Sequence, residues 1–163
     1  MDYIRQLGAL SLASRIRRLV DTMTRDGTRV YRDLGIDFEV RWFAVFHLLS
    51  EAESMAVMEI AEQLGQAHPT VIQMADEMTR RGLVKSQRDR ADGRRRLLAL
   101  TARGRKLAGT LRPVWSAFDE AGAEIVTENG NDFLRSLETL ETAIERMSAY
   151  ERIMARLNKP TKE

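Results

Sequence analysis

Between Glu59 and Thr101 the apolar residues change their spacing twice, and that change restricts the fold more than any other feature of the chain. In EIAEQLG, Ile60, Ala61 and Leu64 keep helical spacing, and Gly65 then permits a tight turn. Next, Val71, Met74, Ala75 and Met78 recur at i, i+3, i+4 and i+7, which builds one apolar stripe on an α-helix. His68, Thr70, Ile72, Gln73 and Asp76 are left on its other faces. Pro69 falls in the first turn, where its missing N–H would have had no partner, and Gly82 follows Arg80 and Arg81 as a stop. The spacing predicts two short helices joined by a few residues, the second over about 67–81. Past Gly82 the period shortens: LVKSQR and RRLLALT read as β-type runs around DRADGR, a turn built on Asp and Gly. A helix-turn-helix followed by a two-stranded wing is expected.

Charge singles out the same stretch. Residues 80–106 hold eleven Lys and Arg against two Asp, whereas the other residues hold fifteen basic and twenty-two acidic side chains. The whole-chain balance of +2 therefore hides a concentrated cationic patch, the electrostatic footprint of phosphate binding when it lies beside a candidate recognition helix.

The run Asp92-Gly93-Arg94-Arg95-Arg96-Leu97-Leu98-Ala99-Leu100-Thr101 resembles the D-x-R-x-x-x-x-x-L-T wing signature of the MarR family of bacterial transcription regulators. Thr70, Met74, Gly82, Leu83 and Val84 fall where that family places its recognition-helix core and exit. The likeness covers about residues 9–157 and departs at Ala67, where Ser or Thr often caps the helix. It implies a mainly α fold: a winged helix-turn-helix lobe over 37–101, with long dimerisation helices over 9–36 and 102–157, in a single domain spanning 1–163. It also implies a homodimer whose recognition helices enter successive major grooves while each Arg94 reaches into a minor groove. The opening half, YIRQLGALSLASRIRRL with DLGIDFEVRWFAVFHLLSE, is similar to MarR-type domains that precede a GNAT acetyltransferase domain. The sequence stops at Glu163 with no acetyltransferase segment following, so the likeness supports no inference about acetyl transfer.

Elsewhere the pattern is helical. Leu12, Ile16, Leu19, Val20, Met23, Val30, Tyr31 and Leu34 predict one long helix from about Ala9 to Leu34, with Gly35 as its stop. These positions pack either within one subunit or against a partner. Asp37 is a candidate N-cap for EVRWFAVFHLLSE, whose Val40, Phe43, Ala44, Phe46, His47 and Leu48 crowd its faces. Trp42, Phe43 and Phe46 are either plain core or the lining of a ligand cavity, and His47 reads as a satisfied or half-buried histidine. An extended piece near 55–57 offers a third strand, and Glu59 is expected to open the first helix of the motif. Thr101 is a candidate N-cap for a long helix carrying Leu107, Leu111, Val114, Phe118, Ala121 and Ile125, with Pro113 expected to bend it. ENGND marks a turn before a final helix with Phe133, Leu137, Leu140, Ile144, Met147 and Met154, whose stripe Glu151 interrupts. Leu12, Ile16, Leu137, Leu140, Ile144 and Met147 are the expected dimer contacts.

These patterns point to double-stranded DNA as partner. His68, Thr70 and Gln73 offer hydrogen bonds to phosphates or base edges, Gln73 suiting an adenine, and Ile72 suits a thymine methyl, beside Pro69 at the helix start. Arg94 suits a narrow minor groove, Arg88, Arg90 and Arg95 suit phosphates, and Asp92 ties the turn or holds an arginine. Arg15, Arg18, Trp42 and His47 are candidate contacts for a small-molecule effector. A protein-interaction module using the same basic face is the alternative. The sequence lacks a phosphate loop, G-x-G-x-x-G and a nucleophile elbow, and its two histidines, His47 and His68, do not cluster with carboxylates at metal spacing. No enzyme activity, cofactor or metal is expected. Zero cysteines rule out disulfides and thiol chemistry. With no apolar run of about 18 residues and no signal core, a cytoplasmic protein without membrane contact is expected.

Overall fold

The computed structural model describes residues 2–88, 95–128, 130 and 132–158. The chain divides into two compact units, residues 1–110 and 111–163, with the boundary inside one long helix.

The first unit opens with α1 (Tyr3–Gln6), a 3-10 turn (Gly8–Ser11) and α2 (Leu12–Asp33). The expected start at Ala9 is thus three residues early, because Gly8 takes a positive φ and the following turn is wound as 3-10. α2 ends as expected at Gly35, and the Ile36 N–H reaches back to the Tyr31 carbonyl at 2.8 Å. Asp37 does not cap the next helix. A 3-10 turn (Val40–Trp42) precedes α3 (Phe43–Glu51), and Asp37 pairs instead with Arg81. The buried set is Trp42, Val45, Phe46 and Leu49, so Phe43 and His47, expected among the packed faces, lie on the exposed side with their rings 5.5 Å apart. Phe38 completes the aromatic cluster: it meets Tyr31, Trp42 and Phe46 edge-on at 5.2, 5.8 and 5.2 Å.

β1 (Met55–Ala56) is the expected third strand. α4 (Val57–Gln63) starts two residues before Glu59, whose carboxylate turns back to accept the Ala56 N–H at 3.1 Å. Gly65, at φ +58°, makes the tight turn into α5 (His68–Arg80), and β2 (Val84–Arg88) and β3 (Arg96–Leu100) form the wing. The antiparallel sheet runs β1-β3-β2, pairing Met55 with Leu98 and Val84 with Leu100. Val71, Met74, Ala75 and Met78 are all buried, together with Leu83, Val84, Leu98 and Leu100. The stripe of α5 and the inner face of the sheet close one core.

Thr101 caps α6 (Ala102–Thr127) by accepting the Gly104 N–H at 3.0 Å, and its hydroxyl donates to the Gly82 carbonyl at 2.7 Å. A Cβ on Gly104 would come within 2.1 Å of the Leu83 carbonyl oxygen, so this helix start docks on the wing root only with glycine there. α6 continues through Pro113. In the second unit the expected single last helix is two, α7 (Phe133–Arg146) and α8 (Ala149–Leu157). The break is built by Ser148: its hydroxyl accepts the Glu151 N–H at 3.2 Å, while Glu151 accepts the Ser148 N–H at 2.7 Å. Glu151 therefore starts a helix rather than interrupting one, and these bonds to Ser148 hold its carboxyl below the usual range. No described helix is long and apolar enough to cross a membrane.

Candidate nucleic-acid interface

α5 turns its polar side outward because its apolar stripe is consumed by the core. His68, Pro69, Thr70 and Gln73 are exposed, and Ile72 is half-buried on the flank. Ala67 takes the N-cap position with extended backbone and no side-chain cap; only its carbonyl serves the helix, accepting from Thr70 at 2.9 Å. The C-terminal end is firmer. Gly82, at φ +68°, lets the Leu83 N–H reach the Met78 carbonyl at 2.9 Å and turns the chain into β2.

The two flanks of α5 are held by different polar groups. On one, Trp42 donates its indole N–H to Glu77 at 3.0 Å, Arg41 pairs with Glu77 at 3.0 Å, and Gln73 Nε2 donates to it at 3.3 Å. The indole bond, then Gln73, Arg41 and Arg80, outweigh desolvation and hold the Glu77 carboxyl below its usual value. Next to it Arg81 lies over the Trp42 ring, 5.3 Å from its centroid, and pairs with Asp37 and Glu39. The bond to Asp37 pushes the already high Arg81 value further up.

On the other flank Arg96 joins helix to wing. Its Nε donates to Ser86 Oγ on β2 at 2.7 Å and its terminal nitrogen to Asp76 on α5 at 2.6 Å. Arg88 stands directly across the ladder from Arg96, a like-charge pair that Asp76 relieves by neutralising one member. Arg95 pairs with Glu59 at the start of α4. Val57, Met58, His68, Ile72, Arg95 and Arg96 surround a recess of about 180 Å³ between the helix and the wing root.

Of the expected DNA contacts, the structure brings His68, Pro69, Thr70, Ile72 and Gln73 onto one helix beside Arg95, with Arg88 exposed at the far end of β2. Arg90, Asp92 and Arg94 lie outside the described residues. Sequence reasoning passed over Arg41, Asp76, Glu77 and Arg96. The signals for Asp76 and Glu77 were their i+4 spacing from Ile72 and Gln73; for Arg96 it was the period of two that sets it on the same sheet face as Leu98 and Leu100. Among the candidate effector contacts, Arg15 is exposed, Arg18 donates to Asp2 at 2.7 Å, and His47 is exposed. The bond from Arg18 holds the Asp2 carboxyl low. Trp42 is 1% exposed, with its N–H committed to Glu77. The expected dimer residues Leu12, Ile16, Leu137 and Ile144 are exposed, and Leu140 and Met147 half-buried.

Comparisons with known proteins find relatives in sequence and in fold. The transcriptional regulator HosA of Escherichia coli O157:H7 is 31% identical over 78 residues, 48% of this chain and 58% of HosA. The chain thus spans less than two thirds of the curated relatives it matches. Two solved structures share the fold at low identity. The MepR–DNA complex from S. aureus superposes with a TM-score of 0.69 at 18% identity, covering 81% of this chain and 96% of MepR. PcaV from Streptomyces coelicolor, in complex with its natural ligand, gives 0.64 at 20%, covering 84% and 93%. The model of the MarR family matches residues 35–95, from the end of α2 to the start of the last wing strand. Through this winged lobe the chain is similar to the MarR family.

Proposed function

We propose that the protein is a sequence-specific DNA-binding transcription regulator, a homodimer acting as a repressor on a pseudo-palindromic operator. One observation carries the reading: α5 exposes His68, Thr70 and Gln73 on the side opposite a fully buried stripe, flanked by a wing rooted in arginines. That is how a recognition helix presents hydrogen-bonding groups to base edges while its lobe supplies cations to phosphates. Arg88, Arg90, Arg95 and, in the minor groove, Arg94 are the wing groups assigned to DNA; the recess beside Ile72 has room for a thymine methyl.

Two copies give the two-fold symmetry of a palindrome, with half-sites about 34–36 Å apart. Support for the pair comes from the exposed apolar rows on α2 (Leu12, Ile16, Leu19, Val20, Met23) and on α7 (Phe133, Leu134, Leu137, Ile144). A small aromatic or anionic effector that binds two arm spacings with different affinity would relieve repression. Arg15, Arg18 and His47 remain the groups proposed to meet it, and the whole acts in the cytoplasm.

The test is fluorescence anisotropy against DNA from immediately upstream of its own gene and a scrambled duplex, across a salt series. Strong preference for the native duplex with a steep salt slope is expected. If a random-duplex selection also yields weak, sequence-blind binding, the proposal fails and a protein-interaction module takes its place.

A further inference from the structure

The flank of α5 that carries Glu77 links a base-reading position to the core. Trp42, almost wholly buried, donates to Glu77 Oε2 at 3.0 Å, and Arg41 lies 3.0 Å from the same oxygen. The other oxygen, Oε1, accepts from Gln73 Nε2 at 3.3 Å. Glu77 itself is 14% exposed, so its position is set by these neighbours rather than by solvent. Arg41 offsets its charge, and a carboxylate so close to the DNA-facing surface then need not repel phosphates.

An ionised carboxylate only accepts hydrogen bonds. The two ends of a glutamine amide have nearly the same shape, and their neighbours decide which way it faces. Beside Glu77 the NH2 end of Gln73 is the favourable one. With one Nε2–H given to Glu77, the exposed Gln73 keeps its second Nε2–H and its amide oxygen for another partner. An adenine edge in the major groove presents an acceptor, N7, next to a donor, the 6-amino group, whereas a guanine edge presents two acceptors.

We infer that Glu77 is a positioning residue for base reading: held by Trp42 and Arg41, it turns the Gln73 amide so that a donor and an acceptor face the groove together, which selects adenine over guanine at the base Gln73 meets. The inference rests on the DNA-reading function proposed above and adds how one base of the operator is chosen.

The experiment uses the full chain. Selection from random duplexes defines the preferred site, and Gln73→Ala identifies the position whose base preference depends on Gln73. Glu77→Gln keeps the length and can still accept from Trp42, but it offers an NH2 group to Gln73 and releases the amide to rotate. The expected result is a fall in adenine-over-guanine preference at that one position from roughly tenfold to within about twofold. Preferences at the other positions should stay unchanged, and because the substitution removes the charge that offsets Arg41, any change in affinity from that charge should be the same for every sequence and fade with salt. Glu77→Asp, still acceptor-only, should keep the direction of the preference.

A second measurement needs no variant of Glu77. With the wild-type protein, 7-deazaadenine (no N7 acceptor) and purine (no 6-amino donor) at that position should each weaken binding. A folded Glu77→Gln protein with full adenine preference overturns the inference, as does a purine substitution without effect. So does a Gln73→Ala protein whose preferences match the wild type at every position; all three leave the DNA-reading function standing. A wild-type protein that selects no sequence overturns both.

Discussion

α5 and α7 carry the same kind of apolar stripe in sequence and meet opposite fates in the structure. Val71, Met74, Ala75 and Met78 of α5 are shut away by α4, the sheet and α3. On α7 no described residue is buried: Leu137 is 37% exposed and Ile144 50%. Periodicity says which face of a helix wants cover, and it is silent on whether the same chain provides it. The first stripe builds a lobe; the second is available to another copy.

The sharpest way to break that contrast is to truncate each stripe. Met78→Ala should destabilise the lobe by about 2–5 kcal/mol in denaturant unfolding, through lost burial and the cavity left behind. Leu137→Ala should cost far less at low protein concentration, and its melting temperature should depend on concentration as the wild type's does. Leu137→Lys with Ile144→Lys should yield monomers in sedimentation while the lobe's circular dichroism is unchanged. Equal destabilisation by Met78→Ala and Leu137→Ala, independent of concentration, would show that α7 is covered by its own chain.

Two glycines of α6 sharpen the comparison at the junction with the lobe. Gly104→Ala would set a Cβ against the Leu83 carbonyl, and a cost of about 1–3 kcal/mol is expected. Gly109→Ala meets nothing within 4 Å and should stabilise by roughly 0.4–1 kcal/mol. Thermal melts of the pair should therefore move in opposite directions.

On DNA, Arg94→Ala should weaken operator binding more than Arg103→Ala, by roughly tenfold, if Arg94 enters a minor groove as proposed, whereas Arg103 is simply exposed on α6. Equal affinities in anisotropy titrations would remove Arg94 from the interface.

The smallest expected effect is on acid stability. The Trp42 bond holds the Glu77 carboxyl below 4.5, its ordinary value. A group lowered in this way adds stability above its unfolded value and loses it as pH falls through the folded one. Wild-type stability should therefore decline more steeply below about pH 4.5 than that of Glu77→Gln. Parallel acid limbs in urea unfolding would mean that the Trp42–Glu77 bond is not linked to folding.

Much of the lobe was legible in the residues themselves. Pro69, Gly65 and Gly82 punctuate α5, its four buried positions follow from a period near 3.6, and Thr101 announces α6, because all of these are local preferences of the backbone. Ser148 and Glu151 were equally local, an S-x-x-E pair, and were overlooked because the apolar spacing ran on across them. Other features had no local signal. Asp37 is a sound N-cap in isolation and is drawn away by Arg81, forty-four residues on. Phe43 is as apolar as Phe46 and stays outside, because the 3-10 turn at Val40–Trp42 sets the phase in which α3 meets the core. The pairs Asp76–Arg96 and Trp42–Glu77 exist only because the fold brings the 3-10 turn before α3, α5 and the wing together, whereas Gln73 and Glu77 are neighbours one turn apart on α5.

By itself the sequence determined the order and kind of the lobe's main helices and strands, the buried stripe of α5 and the cationic charge of residues 80–106, since helix and strand periods and capping act over a few residues. Tertiary structure alone decided which distant polar side chains brace α5, Trp42 on Glu77 and Arg96 on Asp76, because hydrogen bonds between distant residues are selected by packing geometry, which no short-range pattern encodes.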